Sequence, residues 1–171
     1  MGIRRFLVGP AITGIFVIGI WLLGSVSQAM AETLNYKFLS HVTSGQAFPI
    51  ADAEGHVVGF NERFSACLFE NGEMAWGKTI VLFDRTKEVG SLDQYGTINF
   101  QDGSTILTRT KGGTAGSTGK VTGEIIHGTG RFQGIKGTAM VPEIKFFRLE
   151  KGESHPKSFG DGILNYTLPP K

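Results

Sequence analysis

The sequence predicts an all-β protein folded as an eight-stranded antiparallel closed barrel. After the N-terminal segment, no stretch has the periodicity of an amphipathic helix, and glycines or turn pairs interrupt the chain every eight to fifteen residues. This rhythm is typical of sandwiches and barrels. The links between the strand-like segments are mostly short, which makes neighbouring strands antiparallel. Eight strands are the smallest common closed barrel, and closure removes the unpaired edges of an open sheet.

The N-terminal segment is set apart from the fold. Arg4 and Arg5 form a short basic region, and the next 19 residues, Phe6–Gly24, carry no charge. An Ala-x-Ala pattern ends at Ala31, where signal peptidase would cut. We therefore predict a signal peptide over residues 1–31 and export to the periplasm or the extracellular space. The alternative is an uncleaved membrane anchor, because the run approaches the ~20 residues that span a bilayer.

The remaining residues, 32–171, are predicted to form a single β-barrel domain. Without the two leader arginines, 15 basic residues face 15 acidic ones, so this domain has no net charge. No basic stripe is present to contact phosphates, and we predict no nucleic-acid partner. Cys67 is the one cysteine in the sequence and lies in an apolar segment. We expect it to pack as a small core residue rather than to act as a reactive thiol.

Each strand is predicted from alternating apolar residues between turn signals. A loop containing Pro49 follows the first strand, and Asn71-Gly72 predicts a hairpin with a type I′ turn. Polar or glycine-rich loops are expected over 85–92 and 112–119, and Asp102-Gly103 predicts another turn. The predicted strands are Leu34–Thr43, His56–Glu70, Met74–Asp84, Gln94–Phe100, Ser104–Lys111, Lys120–His127, Thr138–Leu149 and Gly162–Leu168.

A glycine cluster connects the sixth and seventh predicted strands. The run Gly128–Thr138 holds four glycines in eleven residues, which indicates a tightly packed turn where side chains would not fit. Phe132 lies inside this cluster, and we expect it to plug one end of the barrel. The glycine spacing does not match a dinucleotide-binding loop, and the segment precedes a strand rather than a helix.

Together with the hairpin Glu70–Glu73 and the turn Asp102–Thr105, this cluster resembles the allene oxide cyclase-like and dirigent-like barrel family. The resemblance covers Val57–Leu168 in element order. It implies a calycin-like eight-stranded barrel with an apolar cavity, often a homo-oligomer. It also implies that active members steer a reactive intermediate by confinement, without a cofactor. None of the cyclase's functional residues can be placed on this chain residue by residue.

Glu62 is the catalytic candidate. By the period-two rule it shares a face of the second strand with Phe60 and Phe64, and a carboxylate in an apolar row is costly to desolvate without a partner. Facing the lumen, Glu62 would be a polar anchor or an acid/base group with a raised pKa. Alternatively, a bulge turns it outward or it pairs with a cross-strand Lys or Arg. Arg63 lies on the opposite face and is expected to be solvated.

The function that we predict is binding of a small apolar or amphipathic molecule in the lumen, with no cofactor. The alternatives are a cofactor-free cyclase or isomerase and a non-catalytic structural or interaction module. Four scattered histidines have no paired ligand spacing, so we predict no metal site. The candidate ligand-binding residues are Tyr36, Phe60, Glu62, Phe64, Trp76 and Tyr95.

Overall fold

The computed structural model describes residues 31–152 and 155–170. The strands are β1 (Ala31–Pro49), β2 (His56–Phe69), β3 (Met74–Thr86), β4 (Val89–Phe100), β5 (Thr105–Ala115), β6 (Thr118–Thr129), β7 (Lys136–Phe147) and β8 (Lys157–Thr167). A 3-10 turn, Gly130–Phe132, lies between β6 and β7. The predicted signal peptide lies outside the described residues, apart from Ala31. Within the described ranges, no helix is long and apolar enough to cross a bilayer.

The strands form one closed antiparallel barrel, which confirms the predicted fold class. Each strand pairs with the next along the chain, and β8 returns to pair with β1. The closing register places Ala31 opposite Thr167 and Ser40 opposite Ser158. Each strand turns alternate side chains into the barrel and out of it, so the register decides which residues meet in the lumen.

Most strands run further than the sequence predicted, and three expected loops are wrong in their bounds. Pro49, predicted to lie in a loop, is the last residue of β1 and pairs with Val57. Residues 85–92 and 112–119 form the ends of long strands, because backbone hydrogen bonds continue where side chains no longer reach a core. The hairpins close over two residues each, Lys87-Glu88 and Gly116-Ser117. Lys87 and Gly116 adopt positive φ values of 57° and 61°, as such tight turns require.

The hairpin at Asn71-Gly72 is confirmed, but its predicted type I′ turn is wrong. Gly72 alone has a positive φ there, and its N–H donates to the carbonyl oxygen of Phe69. A type I turn followed by a left-handed glycine has this pattern. The turn at Gly103 repeats it, with a bond from Gly103 to the carbonyl oxygen of Phe100. Both turns lie at the same end of the barrel.

That end is closed by the hydrophobic core. Phe132 is 3% exposed, and its ring lies 4.9 Å from Phe100 and 6.2 Å from Tyr166. The prediction that Phe132 plugs one end is therefore confirmed. Arg131 stacks over Phe100 and Phe132 at 4.8 Å and pairs with Glu73 at 2.6 Å. The glycine cluster thus forms the cap of the closed end.

Candidate functional site

A cavity of about 820 Å³ occupies the other half of the barrel. It reaches the hairpin loops opposite the core, where Lys87, Glu88 and Ser117 line it. We call this half the open end. A volume of this size lies in the range of small-molecule sites in proteins.

The cavity has an apolar floor and a wall that mixes apolar and polar side chains. The floor consists of residues that belong to the hydrophobic core or pack against it: Tyr36, Phe38, Cys67, Ile98 and Ala139. The wall includes apolar residues such as Val81, Val141 and Phe146. Its small hydroxyl and amide residues include Ser40, Asn61, Ser65, Thr79, Gln94, Thr108, Thr110 and Ser158. These small side chains, on the inner face of six of the strands, leave the space that larger ones would fill.

Arg63 projects into this cavity from the middle of β2. Its Nε donates to Ser40 Oγ at 3.2 Å, and its Nη2 donates to Ser158 Oγ at 2.9 Å and to the Pro156 carbonyl oxygen at 3.4 Å. The guanidinium also lies 5.8 Å from the ring centroid of Phe146. Strands β1 and β8 therefore position this side chain, because their register brings Ser40 and Ser158 together.

The hydrogen-bond partners that the structure describes for Arg63 are all neutral. Among the residues that the structure describes, none places a carboxylate oxygen within 4.0 Å of it. Burial lowers the pKa of Arg63 to about 10, since desolvation disfavours the charged form. The group still carries its proton at neutral pH, so the lumen holds a positive charge.

Asn61 lies two residues before Arg63 on β2 and places its side-chain amide in the cavity lining. Its Oδ1 is buried and has no hydrogen-bond partner in the described part of the chain. Asn61 and Arg63 share the inner face of β2. The same wall thus offers a positive guanidinium and an amide oxygen without a partner.

The structure corrects the predicted faces of β2. Odd-numbered residues face the lumen, so Arg63 is partly buried inside it rather than solvated. Of the candidate ligand residues, Tyr36 lines the cavity, and burial raises the pKa of its phenol. Phe60 borders the open end but is 42% exposed. The side chains of Glu62, Phe64, Trp76 and Tyr95 lie on the outer face of the barrel, away from the cavity lining.

Glu62 forms an ion pair on the outer surface. Its Oε1 lies 3.1 Å from Nζ of Lys78 on the neighbouring strand. This is the pairing that the alternative interpretation of Glu62 predicted, and it leaves the carboxylate outside the lumen. Around it, the outer face of β2 to β4 exposes large apolar side chains: Phe60, Phe64, Leu68, Trp76, Ile80, Leu82 and Tyr95.

Sequence reasoning missed Arg63, although the sequence contains a signal for it. Phe69 directly precedes the glycine turn that closes the β2–β3 hairpin, and it belongs to the core. Counting back from Phe69 in steps of two gives Cys67, Ser65 and Arg63. The even-numbered face of β2 carries large apolar residues, and these led to the prediction that the even-numbered face was buried.

Cys67 forms part of the cavity floor and is 3% exposed, which confirms its predicted place in the core. Burial raises the pKa of its thiol to about 11. A thiol in this state is a poor nucleophile at neutral pH.

A separate polar cluster lies at the outer edge of the open end. His56 Nδ1 contacts Asp52 Oδ1 at 2.5 Å, and His56 Nε2 contacts Asp84 Oδ1 at 2.9 Å. These bonds to carboxylates raise the pKa of His56. The cluster ties the loop after β1 to the end of β3. No group of three or more His, Cys, Asp or Glu within residues 31–152 and 155–170 is placed to hold a metal ion.

No protein-family model matches the sequence, and neither does any curated protein.

Proposed function

We propose that this protein binds a small amphipathic molecule in the lumen of its barrel. The observation that carries the proposal is the cavity of about 820 Å³, which has an apolar floor and a wall of mixed apolar and polar side chains. Binding sites for small molecules are commonly concave and apolar, with a few polar groups that orient the ligand. The resemblance to the allene oxide cyclase-like barrels supports the same type of site.

The position of Glu62 favours binding over acid/base catalysis. Of the described residues that line the cavity, Glu88 alone carries a carboxylate, and it lies in the hairpin at the open end. The cyclase alternative relied on Glu62, whose carboxylate is paired with Lys78 on the outer surface. Binding requires only the shape and polarity of the lumen.

The test is recovery of a ligand from protein purified under native conditions. Ser65 and Phe64 are neighbours on β2 with side chains on opposite faces, so they give a matched pair of variants. Ser65→Trp would fill the lumen, whereas Phe64→Trp adds a similar ring to the outer surface. We expect solvent extraction and mass spectrometry to find an organic compound with the wild type and Phe64→Trp, and little with Ser65→Trp.

Equal recovery from all three folded proteins would contradict lumen binding, because the compound would then be held on the outer surface. The exposed apolar residues of β2 to β4 make this comparison necessary. Circular dichroism would verify that Ser65→Trp keeps its β structure.

A further inference from the structure

Within residues 31–152 and 155–170, no carboxylate pairs with the Arg63 cation in the cavity. The groups that accept hydrogen bonds from Arg63 are the hydroxyls of Ser40 and Ser158 and the carbonyl of Pro156, all of them neutral. A buried charge is costly unless it is paired. The positive charge of Arg63 therefore lacks its matching partner among the residues that the structure describes.

The guanidinium also has donors to spare. Arginine carries five N–H groups in a planar fork, and the described bonds use Nε and Nη2. Nη1 donates to no residue that the structure describes. The two N–H groups of Nη1 are therefore left to donate to an oxyanion. The two serines hold the guanidinium in place from β1 and β8.

We propose that the lumen selects an organic anion with one negative charge, whose oxyanion group pairs with Arg63 while its apolar body rests on the floor. This inference rests on the proposed function and specifies its ligand class. A single guanidinium matches a single charge, and a second charge would be desolvated without compensation. The floor, built from residues such as Tyr36, Phe38 and Ile98, offers apolar contact to the rest of the molecule.

The experiment compares two fluorescent probes that share an apolar body and differ in charge. 8-Anilino-1-naphthalenesulfonate carries one sulfonate, and N-phenyl-1-naphthylamine has the same rings without it. We expect the wild type to bind the sulfonate more tightly by roughly tenfold to a hundredfold, the effect of a charge-assisted hydrogen bond. Arg63→Met should remove this preference, so that the ratio of the two affinities falls to about one. Arg63→Lys should keep part of the preference, because it keeps the charge.

The possible results separate the inference from the proposed function. If the wild type binds both probes equally, or if Arg63→Met keeps the preference of the wild type, the anion inference is wrong while lumen binding stands. If Ser65→Trp binds both probes as well as the wild type does, they sit on the outer face and the proposed function fails. A small carboxylate such as 1-naphthylacetate should displace the sulfonate probe from the wild type but not from Arg63→Met. This result would extend the selectivity to carboxylates.

The thermal midpoint gives a second readout. Replacing an arginine that holds a structural ion pair leaves a buried carboxylate alone and destabilises the fold. Removing an uncompensated charge does not. We therefore expect Arg63→Met to melt at or above the midpoint of the wild type in the absence of ligand. A large fall would show that Arg63 serves the fold, and it would overturn its assignment as an anion anchor.

Discussion

Replacing Phe132 by alanine tests how the closed end is held together. Phe132 is 3% exposed and packs between Phe100 and Tyr166, with the Arg131 guanidinium 4.8 Å from its ring centroid. Removal of a fully buried phenylalanine side chain costs about 3–5 kcal/mol, because both transfer energy and a cavity contribute. For a domain of this size, that corresponds to a fall in melting temperature of about 10–15 °C.

Phe64→Ala is the matched control, since it removes the same atoms from the outer face of the same barrel. Phe64 is 43% exposed, so its loss should cost only about 1 kcal/mol. Urea and thermal unfolding, followed by circular dichroism, measure both variants. The reasoning is refuted if Phe64→Ala destabilises the protein as much as Phe132→Ala, because the two faces of the strands would then be wrongly assigned.

Three further predictions concern other parts of the barrel. His56 has a raised pKa in the fold, so its bonds to Asp52 and Asp84 should contribute full stability below its ordinary pKa of about 6.5 and lose it as the pH rises through the raised value. Melting temperatures measured from about pH 5 to about pH 9 should show this decline. A difference in melting temperature between the wild type and His56→Gln that does not change with pH would contradict it. Gly162→Ala should destabilise by about 1–3 kcal/mol in urea unfolding, because a Cβ there would overlap the Tyr36 ring; an unchanged midpoint would mean that the ring is free to move aside. Cys67 should react with iodoacetamide only when the barrel unfolds, because its thiol is buried and its pKa is raised to about 11; rapid labelling of native protein at pH 8 would contradict this.

The number and order of the strands could be predicted because turn residues mark their ends. Gly72 and Gly103 occupy left-handed positions that other residues rarely adopt, so those two hairpins were readable in the sequence. The far ends of the strands were not, since residues 85–92 and 112–119 pair through backbone atoms that every residue possesses. Local composition there resembles that of a loop.

The faces of β2 could not be assigned from apolar periodicity because both faces carry large apolar residues. Phe69 and Cys67 point inward, while Phe64 and Leu68 cover the outside. The environment of Arg63 depends on partners far away along the chain. Ser158, for example, is 95 residues distant and is brought near only when β8 pairs with β1. Such a site exists only in the closed barrel.

The pairing of β1 with β8 is expected to be a late step of folding, after the hairpins have formed. Every other neighbouring pair is a hairpin or a short connection, whereas Thr33 and Asn165, partners in the closing seam, are 132 residues apart. Hairpins form early because little chain entropy is lost, and distant pairings come late. Until the seam closes, β1 and β8 present bare edges to other chains. Refolding at high protein concentration should therefore lose protein to aggregation before the seam closes. In a circular permutant whose original ends are joined and whose new ends lie in the Lys87-Glu88 turn, β3 and β4 would form the closing seam instead.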